Sequence, residues 1–341
     1  MLNAVYRLVE TRRFEVEFST IDIFGDKVIV RPTHLSICNA DQRYYQGKRA
    51  AEVLAKKLPM ALIHEGIGEV VYDPKGEYKA GQVVVMVPNT PVEHDDIIAE
   101  NYLRSSKFRA SGFDGFMQDN IAMDRDRILI LPDNIDKNVA AFTELASVSY
   151  HAIDRFDDIA HKRRNVIGVW GDGNLAFITS LFVKYRFPES KLVIFGKHTN
   201  KLVDFSFADE TMHIHEIDEN YMVDHAFECV GGEGSPVAIN QIIDHINPEG
   251  TISILGVTEN LAPINTRMIL EKGLRIFGSS RSAPKDFENT IKLYVKHPEI
   301  VEYLEYLVGN IVEINSISDM NKAFDTDIHK AGGKTIMIWN K

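Results

Sequence analysis

Three sets of residues in this chain have types and spacing suited to chemistry. The first is GDGNLA at 171–176, directly after the apolar run VIGVW and directly before a helix-forming stretch. It fits Gly-x-Gly-x-x-Ala. Gly171 permits a tight turn, Gly173 lets a pyrophosphate approach the backbone, and Ala176 allows close helix–strand packing. The helix N-terminus then offers N–H groups to the phosphates. The alternative is a glycine turn in an α/β domain that binds no nucleotide. The second set follows the next apolar run, at Gly196, Lys197, His198 and Lys201. A NAD site places a carboxylate here for the ribose 2′-hydroxyl. This chain instead offers cations, which suits the 2′-phosphate of NADP; a solvated basic loop is the alternative. The third set is dispersed: Cys38, the pair His64-Glu65, and Glu144. Thiolate, imidazole and carboxylate are zinc-type ligands. Their wide separation is no compact metal motif, and a lone cysteine can equally be a small buried hydrophobe.

The elements that must position these residues divide the chain. The N-terminal part is rich in short β-type runs broken by turn residues, clearest at 28–32, from Gly68, and from Gln82. This predicts an antiparallel, barrel-like β region. VAAFTELASVSYHAIDRF has apolar residues at helical spacing and predicts a helix leading out of it. From Asn165, six candidate strands alternate with helical stretches: 166–170, 191–196, 212–217, 223–229, 250–256 and 274–280. That alternation predicts an α/β, doubly wound parallel Rossmann sheet. The tail holds a helix, DFENTIKLYVKH, and ends in the strand KTIMIWN, which is placed to rejoin the first domain. The expected organisation is therefore a β-rich domain, 1–150 with 285–341, interrupted by a dinucleotide-binding domain at 151–284.

Composition narrows the function classes. The 341 residues carry 38 Lys plus Arg against 49 Asp plus Glu, a net charge of −11, which argues against a general nucleic-acid or anionic-membrane binder. Two cysteines make no disulfide framework and point to a reducing cytoplasm. The N-terminus lacks the apolar core of a secretion signal, and no apolar run approaches the length of a membrane span. A cytoplasmic protein acting on a small molecule, and forming a homo-oligomer, is the expectation.

Taken together, SICNADQR at 36–43, HEGIGEV at 64–70, KAGQVVVMVPN at 79–89, TELASVSYHA at 143–152, GDGNLA, FECVGG at 227–232 and GSSRS at 278–282 resemble the zinc-dependent medium-chain dehydrogenase/reductase family over essentially the whole chain. The resemblance implies that the β-rich domain is a GroES-like catalytic domain. It implies a single catalytic zinc per chain on Cys38, His64 and Glu144, with Glu65 a fourth ligand or an exchanging carboxylate. It implies that Asp41 hydrogen-bonds His64 and fixes its tautomer. It also implies an NADPH site on Gly171, Gly173, Ala176, Lys197 and Lys201, with Arg281 holding cofactor or ordering a hinge. Two departures stand out. The family's usual Ser or Thr two residues after the ligand cysteine is Ala40, and the His three further on is Arg43. Proton transfer then falls to Tyr44, Tyr45 or water through Glu65. The family's four-cysteine structural zinc lobe is missing as well.

More narrowly, DQRYYQGKR at 41–49, PNTP at 88–91, SGFDGFMQD at 111–119 and HAFECVGGEG at 225–234 are similar to the ribulose-5-phosphate reductases of teichoic-acid and capsule synthesis. That likeness implies reduction of ribulose 5-phosphate to ribitol 5-phosphate beside a cytidylyltransferase. A substrate phosphate needs cations, and Arg43, then Lys48 and Arg49, just past Cys38, are the candidates. A zinc polyol dehydrogenase acting on a free sugar alcohol is the alternative reading.

Overall fold

The computed structural model describes residues 1–341. Contacts divide the chain into two compact units, Met1–Ser147 with Ser282–Lys341, and Val148–Arg281.

The first unit is built on a seven-stranded sheet. Its main path runs Ile128–Ile130, Val83–Met86, Glu65–Tyr72, Val28–Ser36, Lys334–Trp339 and Val308–Ile314, and Ile121–Met123 pairs with the start of Val28–Ser36. All neighbours are antiparallel except the last pair on the path. The C-terminal strand does rejoin the N-terminal domain, because its apolar face completes a core with Leu35, Met86, Phe116 and Phe324. Not among the strands read above are Ile121–Met123, Ile128–Ile130, Val308–Ile314 and a hairpin of Leu2–Glu10 and Arg13–Thr20. In Arg13–Thr20 only Phe14 is buried, so its alternation of charged and apolar residues carries a weak signal.

Register brings three strand ends together. Ser36, the last residue of the central strand, pairs with Glu65 on one side and Ile336 on the other. Glu65 begins its strand, and Lys334 begins the C-terminal one. Both neighbours are antiparallel to the central strand, so two strand starts flank one strand end. Just past that end, Cys38 caps the helix Asn39–Tyr45.

The second unit holds a six-stranded, all-parallel sheet. Its spatial order is Glu210–His213, Lys191–Gly196, Val166–Trp170, Val223–Glu228, Ile246–Ile254 and Arg275–Gly278. Counted along this unit the order is 3-2-1-4-5-6, the doubly wound arrangement that places ligands at the carboxyl ends of the strands. Trp170, Phe195, Ala226, Ile239, Ile242 and Ile252 pack one core of this unit.

Candidate functional site

At the strand ends of the first unit, the Cys38 sulfur, a His64 ring nitrogen and a Glu65 carboxylate oxygen all lie within 4.8 Å of one another. Donor atoms around a tetrahedral zinc are roughly 3.3–3.8 Å apart, given bonds of about 2.0–2.3 Å. A soft sulfur, an imidazole and a carboxylate at this separation fit a zinc ion after small side-chain adjustments. The electrostatics favour a cation as well. Burial opposes a charge on the His64 ring, but Asp41 and Cys38 outweigh it and hold its pKa well above the usual histidine value.

Asp41 organises the backbone here. It is fully buried in the first turn of the Asn39–Tyr45 helix. Its two carboxylate oxygens accept the backbone N–H of Cys38 at 3.1 Å and of Ile63 at 3.0 Å. It faces His64 Nδ1 at 3.6 Å, too long for a direct hydrogen bond. Asp41 thus fixes the Cys38 and His64 segments to each other and acts on the ring chiefly through its charge. Ile63 adopts φ +71°, a conformation that costs a β-branched residue on the order of 1–3 kcal/mol. Asp41 holds it from one side. From the other, the Phe116 N–H donates to the Ile63 carbonyl at 2.7 Å. The approach of that segment depends on Gly115, where a Cβ would lie 2.3 Å from the Leu62 and Ile63 carbonyl oxygens. Phe108 packs against the His64 ring with centroids 5.3 Å apart.

Glu144 stands in the first turn of the helix Thr143–Ile159 and is buried. Burial pushes its carboxyl up to about 7; His64 pulls it down and Glu65 pushes it up. It therefore senses the three residues electrostatically, but it does not join them at 4.8 Å. Arg43 lies in the last turn of the Asn39–Tyr45 helix, half-buried. The residue that sequence reasoning missed is Lys334. It is fully buried, with its ammonium 2.8 Å from both Glu65 carboxylate oxygens. The available signal was a lysine heading an otherwise apolar strand.

In the second unit, Gly171 takes φ +136°, and a Cβ there would meet the Cys229 carbonyl and the Ala176 methyl at 3.1 Å. Only glycine suits that turn. Gly173 caps the helix Asn174–Arg186 without any side-chain cap, and a Cβ there would meet nothing within 4 Å. An open space before uncapped helical N–H groups is what a pyrophosphate needs. Ala176 is fully buried beneath. Asp172 accepts the backbone N–H groups of Lys197 and His198, each at 2.8 Å, and pairs with the His198 ring at 2.9 Å. This ties the loop after the second strand to the glycine turn. Lys197 is exposed and Lys201 half-buried. Gly196 has a packing reason of its own, since a Cβ would lie 2.6 Å from Leu202. Arg281 ends the unit at φ +59°.

An alcohol dehydrogenase GroES-like domain model matches residues 25–133, and a zinc-binding dehydrogenase model matches residues 199–296. A ribulose-5-phosphate reductase of Bacillus spizizenii is 55% identical over 339 residues, 99% of each chain. The chain belongs to the zinc-binding, medium-chain dehydrogenase/reductase family. Ribulose-5-phosphate reductase 1 of Staphylococcus aureus is 53% identical over the same share of both chains. The crystal structure of S. aureus TarJ in complex with NADPH superposes with a TM-score of 0.91 at 48% identity, covering all of both chains. The medium-chain architecture of a Rossmann sheet with a β-rich GroES-like domain is thus established, as is oxidoreductase chemistry on CH–OH groups. No helix is long and apolar enough to cross a membrane.

Proposed function

We propose that this chain reduces D-ribulose 5-phosphate to D-ribitol 5-phosphate with NADPH and a single zinc ion. The observation that carries the reading is the Cys38, His64, Glu65 triad in a chain that matches ribulose-5-phosphate reductases end to end. When bound, zinc supplies Lewis acidity toward a ketone oxygen and NADPH supplies the hydride. Cys38, His64 and Glu65 would hold the metal, with Glu144 as an alternative carboxylate. Asp41 keeps the Cys38 and His64 segments in register, which preorganises the site before substrate arrives. Where Ala40 replaces the usual hydroxyl, a water at Glu65, itself held by Lys334, would carry the proton. Gly171, Gly173 and Ala176 shape the pyrophosphate turn, Lys197 and Lys201 supply charge for a 2′-phosphate, and Arg281 is assigned to the cofactor. Arg43 is assigned to substrate. The reading extends to a cytoplasmic homo-oligomer whose product passes to a cytidylyltransferase.

NADPH oxidation against a panel of ketose phosphates and free ketoses tests this. Ribulose 5-phosphate is expected to be reduced far better than ribulose, in kcat as well as KM, because binding energy from a remote phosphate helps orient the ketone. Equal efficiency with the free ketose would overturn the substrate assignment in favour of a polyol dehydrogenase.

A further inference from the structure

A second group of polar side chains stands at the other end of the Asn39–Tyr45 helix from Cys38. The ammonium of Lys57, the last residue of the helix Ala51–Lys57, donates to the Tyr44 phenol oxygen at 3.1 Å and to the Ser111 hydroxyl at 3.0 Å. It also lies 5.8 Å from the centroid of the Tyr44 ring, and the Arg49 guanidinium lies over the same ring at 4.8 Å. Tyr44 is buried, while Lys57 and Ser111 are half-buried and so reachable from solvent. No carboxylate pairs with Lys57; its polar partners are these two hydroxyls.

The hydrogen count decides what this group can bind. A hydroxyl that accepts from an ammonium keeps its own hydrogen to donate. Tyr44 and Ser111 therefore each have an O–H left, and Lys57 has one N–H left. Three donors converge under the positive charge of Lys57. A ligand that satisfies them must carry several acceptor oxygens and negative charge, as a phosphate monoester does. The position suits a substrate that reaches Cys38. Tyr44 lies six residues along the helix from Cys38, roughly 9 Å at 1.5 Å per residue. The five bonds from a C2 carbonyl carbon to a C5 phosphorus span roughly 6 Å when extended, which leaves room for the metal–oxygen contact at the other end.

We propose that Lys57, with the hydroxyls of Tyr44 and Ser111, forms the subsite for the phosphate group of the substrate. The inference rests on the ketose-phosphate reading above and adds a specificity-determining lysine distinct from Arg43.

Steady-state kinetics on the zinc-loaded full chain test it. Lys57→Ala should raise KM for ribulose 5-phosphate and shrink the preference over ribulose by about tenfold to a hundredfold, the worth of a charged hydrogen bond. Lys57→Arg should recover most of the preference, which a merely structural lysine would not require. Should Lys57→Ala fail to fold, Ser111→Ala carries the test, with an expected loss of about threefold to tenfold. A wild-type preference that survives Lys57→Ala, or Ser111→Ala in its place, overturns the subsite and leaves the proposed function standing. A wild type with no preference at all overturns the proposed function instead. The subsite is then decided by titration with inorganic phosphate alone: binding lost in Lys57→Ala supports an anion site, and equal or absent binding in both proteins overturns it.

Discussion

Lys334 and Glu65, 269 positions apart, form a fully buried ion pair at the candidate metal centre, with the ammonium 2.8 Å from both carboxylate oxygens. The pair exists because two strands begin on either side of the end of a third. Burial lowers the tendency of Lys334 to hold its proton, but Glu65 and Cys38 outweigh that and raise its pKa. The pair holds Glu65 in place beside Cys38 and His64.

Removing one partner of such a pair leaves an uncompensated buried charge. Lys334→Met is therefore expected to destabilise the protein by about 3–5 kcal/mol. Replacing both, as Lys334→Met with Glu65→Leu, is expected to recover a large part of that loss. Denaturant unfolding of the two single variants and the double variant checks this. Additive losses would show that the charges do not interact.

Metal binding gives a second expectation. Elemental analysis of the active protein should find a single zinc per chain. Cys38→Ser should lose both zinc and reductase activity while far-ultraviolet circular dichroism stays unchanged. Active protein free of transition metal would contradict the assignment, and two ions per chain would reveal a site outside the triad.

The glycine turn and its neighbouring loop separate two effects on the cofactor. Gly173→Val adds a side chain where a Cβ meets nothing within 4 Å, so stability should hold while affinity for both NADPH and NADH falls. Lys197→Ala should weaken NADPH by about tenfold to a hundredfold, the loss of one charge-assisted hydrogen bond, and leave NADH nearly untouched. Fluorescence titration with both nucleotides reads each outcome. Equal weakening of both by Lys197→Ala would remove that lysine from 2′-phosphate recognition.

His225 gives the fold of the second unit a pH dependence. Its Nδ1 accepts the Thr251 N–H at 3.1 Å and its Nε2 donates to the His161 carbonyl at 3.1 Å, so both nitrogens are satisfied only in the neutral ring. Burial, then the adjacent His161, pushes its pKa down to about 4 from 6.5. Between those values the unfolded chain binds the proton and the folded chain does not, so stability falls as pH falls. The contribution is complete above about pH 6.5 and is lost by about pH 4, to a total of about 3 kcal/mol. Urea midpoints measured across this interval should drop for the natural protein and flatten for His225→Gln.

How much of this was legible in the sequence depends on the range of the interaction. The glycine turn, the alternating strands and helices, and the missing carboxylate after Phe195 are local, and local spacing reports them directly. Gly171 and Gly173 meet opposite physical demands, one for a left-handed backbone and one for open space, and the Gly-x-Gly pattern records both. Cys38 and the His64-Glu65 pair were visible as residue types, but nothing in their spacing distinguishes a metal site from a buried thiol and a polar step. The sheet register brings them together, by setting Ser36 opposite Glu65 and Ile336. Asp41 as a clamp on the Ile63 backbone, Lys334 as the partner of Glu65, and Lys57 as the meeting point of Tyr44 and Ser111 belong to the tertiary structure alone. Each joins residues from different elements, and their separation along the chain carries no period that a sequence can display. The sequence by itself determined the α/β class, the glycine turn and the charge of the loop beside it. Only the fold decided which buried charges face one another, because burial and pairing are set by packing between elements distant in the chain.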